Sequence, residues 1–183
     1  TMRTIVNRNA LLFPDKTAMK EFETGKACTF LEMKEKASKI GNALYALGLN
    51  KGDPVSVLSQ NSYEYAELFT SVPSAGFILV PLNFRLALPE IIGVLNDAGS
   101  VALFLHDQYI KFAGQIKAAV PTLRHFIYIG PEGGKPDGWI DYDEMLRDAS
   151  PADIEVEVIE DDPAFLMYTS GTTGLPKGVV QTH

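Results

Sequence analysis

The sequence is short of cysteine and of positive charge. Cys28 is the single cysteine among 183 residues, which excludes an intrachain disulfide framework and fits a reducing compartment. Lys and Arg total 16 against 23 Asp and Glu, giving a formal net charge of −7. Nucleic acids and anionic membrane surfaces attract clustered basic side chains, so neither is an expected partner.

Long hydrophobic runs are also absent. The longest uncharged stretch, 68–84, contains Pro73 and Pro81, so it is too short and too broken to span a bilayer. The opening residues, TMRTIVNRNALLFPDKTA, lack the apolar region and small-residue cleavage site of a secretory signal. We therefore expect no integral membrane segment and a cytoplasmic location.

Helical and strand-like segments alternate along most of the chain. Thr29 and Glu32 have the spacing of a capping box, and apolar residues then recur at helical intervals up to Gly48. Short apolar runs predict strands at 55–59, 77–82, 101–105 and 126–129, with helices at 63–71, 88–98, 109–119 and around 142–147. Continuous apolar strands separated by helices predict a Rossmann-like α/β fold, with a mostly parallel sheet covered by helices on both faces.

The end of the chain differs in composition from the rest. The alternation of Ile154, Val156 and Val158 within an acidic segment fits either an edge strand or an acidic connector. A last strand is predicted at 164–168, with a Gly-rich loop at its carboxyl end, where ligands bind in open α/β sheets. The predicted division is an α/β subdomain at 1–160, followed by a strand and this loop at 161–183.

The loop 169–178 has the composition of a polyphosphate site. It holds three Gly, four Ser or Thr, one Pro and one Lys. Glycines let backbone N–H groups approach phosphate closely, hydroxyls add donors, and Lys177 adds a compact positive charge. Lys177 precedes Gly178 and lies three residues beyond Gly174, which is not the order of the P-loop motif. A flexible linker is the alternative, although linkers rarely adjoin a buried strand.

The stretch YTSGTTGLPKGVV, 168–180, resembles the phosphate-loop signature of the adenylate-forming (AMP-binding) superfamily. This superfamily includes acyl-CoA synthetases, luciferases and the adenylation domains of peptide synthetases. Residues 29–65 and 69–91 are also similar to the family's opening segments. PLNFRL, 81–86, looks more like the corresponding stretch of a fatty-acyl or aryl-CoA ligase. Peptide-synthetase domains usually carry an acidic residue after the Pro-Ile or Pro-Leu pair at this position. A luciferase-like or peptide-synthetase origin remains the alternative within the family.

The resemblance implies a two-step activation of a carboxylic acid, here a fatty acid. The carboxylate attacks the α-phosphate of ATP to give an acyl-adenylate and pyrophosphate, and the thiol of coenzyme A then displaces AMP. Mg²⁺ is implied as well, with its ligand expected outside this chain. The matched residues that would hold the β- and γ-phosphates are Thr169, Ser170, Gly171, Thr172, Thr173, Gly174 and Lys177. His183 matches a position near the acyl pocket.

Several family elements are missing from the chain. The downstream aromatic-Gly-x-Thr-Glu segment, the acidic residue for the ribose and the lid domain with its catalytic Lys have no counterpart here. We therefore read the chain as roughly the first third of a long-chain fatty-acid–CoA ligase-like enzyme, inactive alone, with no catalytic residue of its own. A non-catalytic nucleotide-binding or interaction module is the alternative. Apolar edges left uncovered predict self-association of the chain.

Other candidate groups have structural interpretations. His106 and His125 lie at strand boundaries without metal-ligand spacing. Asp161 and Asp162 are adjacent on an acidic loop, which is more typical of a solvated turn than of an acid–base pair. Trp139 and Tyr142 are expected to anchor a loop rather than to stack on adenine.

Overall fold

The computed structural model describes residues 1–169 and 176–183. The chain opens with helix α1 (Met2–Leu12) and a small antiparallel pair, β1 (Thr17–Lys20) and β2 (Ala27–Thr29). Helix α2 (Phe30–Ala46) follows, and its predicted capping box is present. The backbone N–H of Glu32 donates to Thr29 Oγ1 at 3.2 Å, and the N–H of Thr29 donates to Glu32 Oε2 at 2.8 Å.

The main sheet has seven strands in the order β7-β6-β5-β3-β4-β8-β9. All neighbouring pairs are parallel except β8 with β9, which are antiparallel. The mostly parallel sheet predicted from the apolar runs is therefore confirmed. The strands are β3 (Pro54–Leu58), β4 (Ile78–Pro81), β5 (Ala102–His106), β6 (His125–Ile129), β7 (Ile140–Asp141), β8 (Pro163–Thr169) and β9 (Lys177–Thr182).

Helices cover both faces of this sheet, as predicted. One core lies between the sheet and helices α2, α3 (Tyr63–Ser74) and α6 (Tyr142–Asp148). The other core lies between the opposite face and helices α4 (Leu88–Asp97) and α5 (Ala113–Ala119). Successive residues of β3 supply both cores, because Val57 packs in the first and Leu58 in the second.

The predicted helix at 109–119 is two elements in the structure. A 3-10 helix (Asp107–Phe112) precedes α5. The chain turns as soon as β5 ends, and His106 Nδ1 accepts a hydrogen bond from the backbone N–H of Gln108 at 3.4 Å. Helical structure therefore begins earlier than the apolar spacing indicates.

The acidic segment before β8 is a connector rather than an edge strand. Asn42 Nδ2 on α2 donates to the carbonyl oxygens of Ser150 and Ala152, both at 2.9 Å. Arg3 on α1 donates from Nη1 to the carbonyl oxygen of Ile154 at 3.3 Å. Side chains from two helices thus satisfy several of the connector's carbonyl groups in the absence of a partner strand.

None of the helices within residues 1–169 and 176–183 has the length and apolar character needed to cross a membrane.

Candidate functional site

The β8–β9 hairpin holds the ends of the Gly/Ser/Thr-rich segment. Thr169 at the end of β8 is the register partner of Lys177 at the start of β9. The structure thus brings together two of the residues predicted to contact phosphate. Ser170, Gly171, Thr172, Thr173 and Gly174 lie outside the described residues, so their part in the site stays a prediction.

The hairpin is attached to the protein through β8. Ala164 and Phe165 are buried, and Phe165 is the register partner of Leu79 on β4. The Phe165 ring also packs on Phe69 of α3, with ring centroids 4.6 Å apart. β9 pairs only with β8 among the described strands and is exposed along its length. Lys177 is therefore presented to solvent from a strand whose partner is anchored in the core.

The residue before Thr169 makes a long-range contact. The hydroxyl of Tyr168 donates to Oδ2 of Asp97 at 2.6 Å, and Asp97 is the last residue of α4. Burial, and then the hydrogen bond with Asp97, raise the pKa of the Tyr168 phenol. The phenol therefore stays protonated and available as a donor at neutral pH.

Gly178 lets the Tyr168 ring pass close to β9. Tyr168 and Gly178 are register partners. A Cβ atom at Gly178 would lie 2.9 Å from Leu166 Cδ1 and 3.2 Å from Tyr168 Cζ. Close packing thus favours glycine at position 178, in addition to the predicted approach of the backbone to phosphate. A glycine inside a strand is a signal of this kind of close approach.

A cleft of about 380 Å³ lies between α4 and the hairpin. Its lining combines helix and hairpin residues: Pro89, Glu90, Gly93, Val94, Asp97, Tyr168 and Pro176. Local sequence patterns do not predict this cleft, because Asp97 of α4 and Tyr168 of β8 are 71 residues apart in the chain.

His183 lies at the other end of the hairpin from the loop. It follows Thr182, whose register partner is Pro163 at the start of β8. Its Nδ1 accepts a hydrogen bond from the backbone N–H of Met2 at 3.2 Å, and Nε2 is buried without a partner among the described residues. Burial is the main cause that lowers the pKa of His183. The structure thus places His183 apart from Thr169 and Lys177.

The remaining candidates make structural contacts. Asp162 accepts from the backbone N–H of Ile159 at 2.8 Å and pairs with Lys51 at 2.6 Å. Trp139 packs on Phe126 with ring centroids 4.9 Å apart. The buried Tyr142 donates to Glu67 Oε2 at 2.9 Å.

The histidines and carboxylates do not form a metal centre within the described part of the chain. No group of three or more His, Cys, Asp or Glu side chains is placed to hold a metal ion there. Burial, followed by the charge of Arg124, lowers the pKa of His125.

The chain belongs to the AMP-binding enzyme family, whose family profile matches residues 6–183. The resemblance carried by YTSGTTGLPKGVV is thereby confirmed. The mostly parallel α/β sheet of this chain is shared by solved structures of CoA ligases. The anthranilate CoA ligase AuaEII, solved in complex with anthranoyl-AMP, superposes with a TM-score of 0.91 at 29% identity, over 100% of this chain and 34% of that one.

Curated relatives include two long-chain-fatty-acid–CoA ligases. FadD13 of Mycobacterium tuberculosis is 37% identical over 182 residues, which is 98% of this chain and 34% of the relative. The ligase of Thermus thermophilus is 33% identical over 181 residues, 97% of this chain and 32% of the relative. The chain therefore spans about a third of the length of the curated relatives it matches.

Proposed function

We propose that the chain is the N-terminal part of an ATP-dependent carboxylate–CoA ligase acting on a fatty acid. The complete enzyme forms an acyl-adenylate and pyrophosphate, then transfers the acyl group to the thiol of coenzyme A. The observation that carries this proposal is the hairpin register that sets Thr169 opposite Lys177 across the YTSGTTGLPKGVV signature. The similarity to long-chain-fatty-acid–CoA ligases supports the choice of substrate class.

The chemical demand of the first step explains why this loop suits it. A carboxylate anion has to approach an anionic phosphate, so catalysis depends on positioning and on neutralising charge. In our proposal Lys177 places its ammonium group against non-bridging oxygens of the β- and γ-phosphates. The Thr169 hydroxyl, together with Ser170, Thr172 and Thr173, donates hydrogen bonds, while Gly171 and Gly174 let the backbone approach. His183 is proposed to line the acyl pocket.

ATP and coenzyme A follow from the family, and Mg²⁺ is the expected counter-ion of ATP in the complete enzyme. The described residues hold no cluster of three or more His, Cys, Asp or Glu side chains placed for a metal ion, and the Mg²⁺ ligand is proposed to lie in the part of the enzyme outside this chain. The cytoplasm is the proposed location, on the ground of the single buried Cys28 and the use of ATP and coenzyme A.

The boundary at residue 160 is proposed to divide an α/β subdomain from the strand and phosphate loop that begin the next portion. The connector ahead of β8 supports such a division, although β8 itself pairs with β4 of the main sheet.

Self-association of the isolated chain is part of the proposal. β9 is exposed along its length, with Val179 48% and Val180 59% exposed. An exposed apolar edge strand is a template for pairing with a second copy. Multi-angle light scattering of residues 1–183 should show a dimer or larger species whose population rises with concentration. A monomer at every concentration would contradict this part.

Carboxylate-dependent exchange of labelled pyrophosphate into ATP tests the main proposal. The complete protein should exchange only when a fatty acid is present, because pyrophosphate can re-form ATP only from the acyl-adenylate. Residues 1–183 alone should not exchange, since the remainder of the active site lies elsewhere. ATP binding without carboxylate-dependent exchange by the complete protein would favour the alternative of a non-catalytic nucleotide-binding module. Exchange with luciferin or an amino acid, but not with fatty acids, would favour the other branches of the family.

A further inference from the structure

We propose that Asp97, acting through Tyr168, is a positioning residue for the phosphate-binding loop. This inference rests on the proposed function, and it assigns a role in ATP binding to a residue of α4 that lies outside the signature.

The first support is the place of the contact. Tyr168 directly precedes Thr169, and its hydroxyl donates to Asp97 Oδ2 at 2.6 Å. Helix α4, which carries Asp97, is fixed to the sheet by the fully buried Ile91 and Leu95. The hydrogen bond therefore ties the strand end at the base of the loop to an element that cannot shift without disturbing the core.

The second support comes from the partner strand. Tyr168 and Gly178 are register partners, and a Cβ atom at Gly178 would lie 3.2 Å from Tyr168 Cζ. The ring thus lies close to the backbone of β9 beside Lys177. One contact with α4 consequently restrains both ends of the loop, the Thr169 end through the chain and the Lys177 end through packing and strand pairing.

The third support is that Asp97 is unfavourable for its own helix. It is the last residue of α4, where the helix dipole presents partial negative charge and a carboxylate is destabilising. Aspartate also has a low helix propensity. A residue that breaks local rules at this position fits a role beyond the helix, and the Tyr168 hydroxyl is the polar group that it contacts.

The structure contains a matched control for this pair. Tyr128 at β6 donates to Asp107 Oδ1 at 2.7 Å, which is the same chemistry at nearly the same distance. β6 is separated from β8 in the sheet by β5, β3 and β4. Loss of the Tyr128 hydroxyl should therefore affect stability without affecting the loop.

Steady-state kinetics of pyrophosphate exchange by the complete protein test the inference. Asp97→Ala and Tyr168→Phe should each raise KM for ATP by about three- to tenfold, the range expected for one hydrogen bond. KM for the fatty acid should stay within about twofold, and the double variant should resemble either single one, because both remove the same bond. Asp97→Asn keeps an acceptor and should recover part of the loss. Tyr128→Phe should leave KM for ATP unchanged.

Thermal stability separates positioning from general support of the fold. Asp97→Ala should change Tm little, because loss of the hydrogen bond with Tyr168 opposes the relief of an unfavourable charge at the end of α4, while KM for ATP rises. The inference is overturned if Tyr168→Phe leaves KM for ATP unchanged, if the two single effects multiply, or if Tyr128→Phe raises KM for ATP equally.

Hydrogen–deuterium exchange keeps the two proposals distinguishable. If the wild-type protein shows no pyrophosphate exchange, the proposed function fails. The restraint by Asp97 is then tested by the hydrogen–deuterium exchange rates of the backbone amides of 164–169 and 177–182. Faster amide exchange there in Tyr168→Phe and Asp97→Ala, but not in Tyr128→Phe, would retain Asp97 as the residue that restrains the loop. Unchanged amide exchange would overturn it.

Discussion

Thr169 and Lys177 face each other as register partners at the end of the β8–β9 hairpin. The predicted phosphate-binding segment therefore begins and ends at positions fixed by strand pairing.

The first prediction concerns the charge of Lys177. Lys177→Ala in the complete protein should lower carboxylate-dependent pyrophosphate exchange by about 100-fold, in the range of losses when a single preorganised charge-stabilising donor is removed. Lys20→Ala, which removes an exposed lysine from β1, is the control and should behave as wild type. Equal activity of the Lys177→Ala and Lys20→Ala variants would show that Lys177 does not contact the phosphates.

The second prediction concerns the buried carboxylate of Glu67. It accepts from the Tyr142 hydroxyl at 2.9 Å and pairs with Lys36. Glu67→Ala leaves a buried hydroxyl and an ammonium group without their acceptor, and should lower the free energy of unfolding by about 3 kcal/mol. Urea denaturation measures this loss.

Two further variants calibrate the Glu67 result. Glu67→Gln keeps an acceptor for Tyr142 and should lose less, while Glu35→Ala on the exposed face of α2 should change little. A Glu67→Ala protein as stable as the Glu35→Ala protein would rule out a stabilising role for this network.

The third prediction compares two helical glycines. A Cβ atom at Gly41 in α2 would lie 2.3 Å from Ile154 Cδ1 and 2.6 Å from Ala75 Cβ, whereas one at Gly93 in α4 would meet nothing within 4 Å. Gly41→Ala should destabilise by about 1–3 kcal/mol through overpacking. Gly93→Ala should stabilise by about 0.5–1 kcal/mol through helix propensity.

Thermal unfolding of the two glycine variants checks this contrast. The same sign of change in Tm for both would contradict the close packing of the connector on α2. Ile154→Ala combined with Gly41→Ala should recover part of the loss, because it removes the nearest clashing atom.

The fourth prediction concerns pH. Burial, followed by Arg124, lowers the pKa of His125 in the folded chain below its unfolded value near 6.5. Folding therefore favours the neutral imidazole, so its contribution to stability is present above the unfolded pKa and is lost as pH falls below it. His125→Gln should lose less stability than wild type between about pH 7.5 and about pH 5.5.

Urea unfolding of both proteins at the two pH values measures that difference directly. Carboxylates that titrate in the same range affect wild type and variant alike, so only the difference between the proteins reports on His125. Identical pH dependences would contradict the lowered pKa.

The apolar core elements are the part of the fold that sequence predicts well. β3, β5 and β6 are short, mostly apolar runs because both their faces are buried, and the capping box marks the start of α2. β9 is exposed on every residue and so carries no burial pattern by which its sequence could indicate a strand. β7 has only two residues, and α1 buries only Val6 and Ala10, so neither gives a periodic signal.

The candidate site divides in the same way. Its loop is a contiguous motif, and a contiguous motif is readable from sequence. The contact between Tyr168 and Asp97 joins residues 71 positions apart, and such pairs depend on sheet order, which one sequence does not specify. His183 is close to the signature in sequence but lies at the opposite end of the hairpin from Thr169 and Lys177. Closeness in sequence therefore does not predict closeness in space here.

The most direct test of the central claim is the identity of the products formed by the complete protein from palmitate, ATP and coenzyme A. Mass spectrometry should detect palmitoyl-CoA and AMP in equal amounts, with pyrophosphate released, and none of these should form when palmitate is omitted. Formation of ADP and phosphate instead, or no thioester with palmitate, octanoate or benzoate, would contradict the assignment as a carboxylate–CoA ligase.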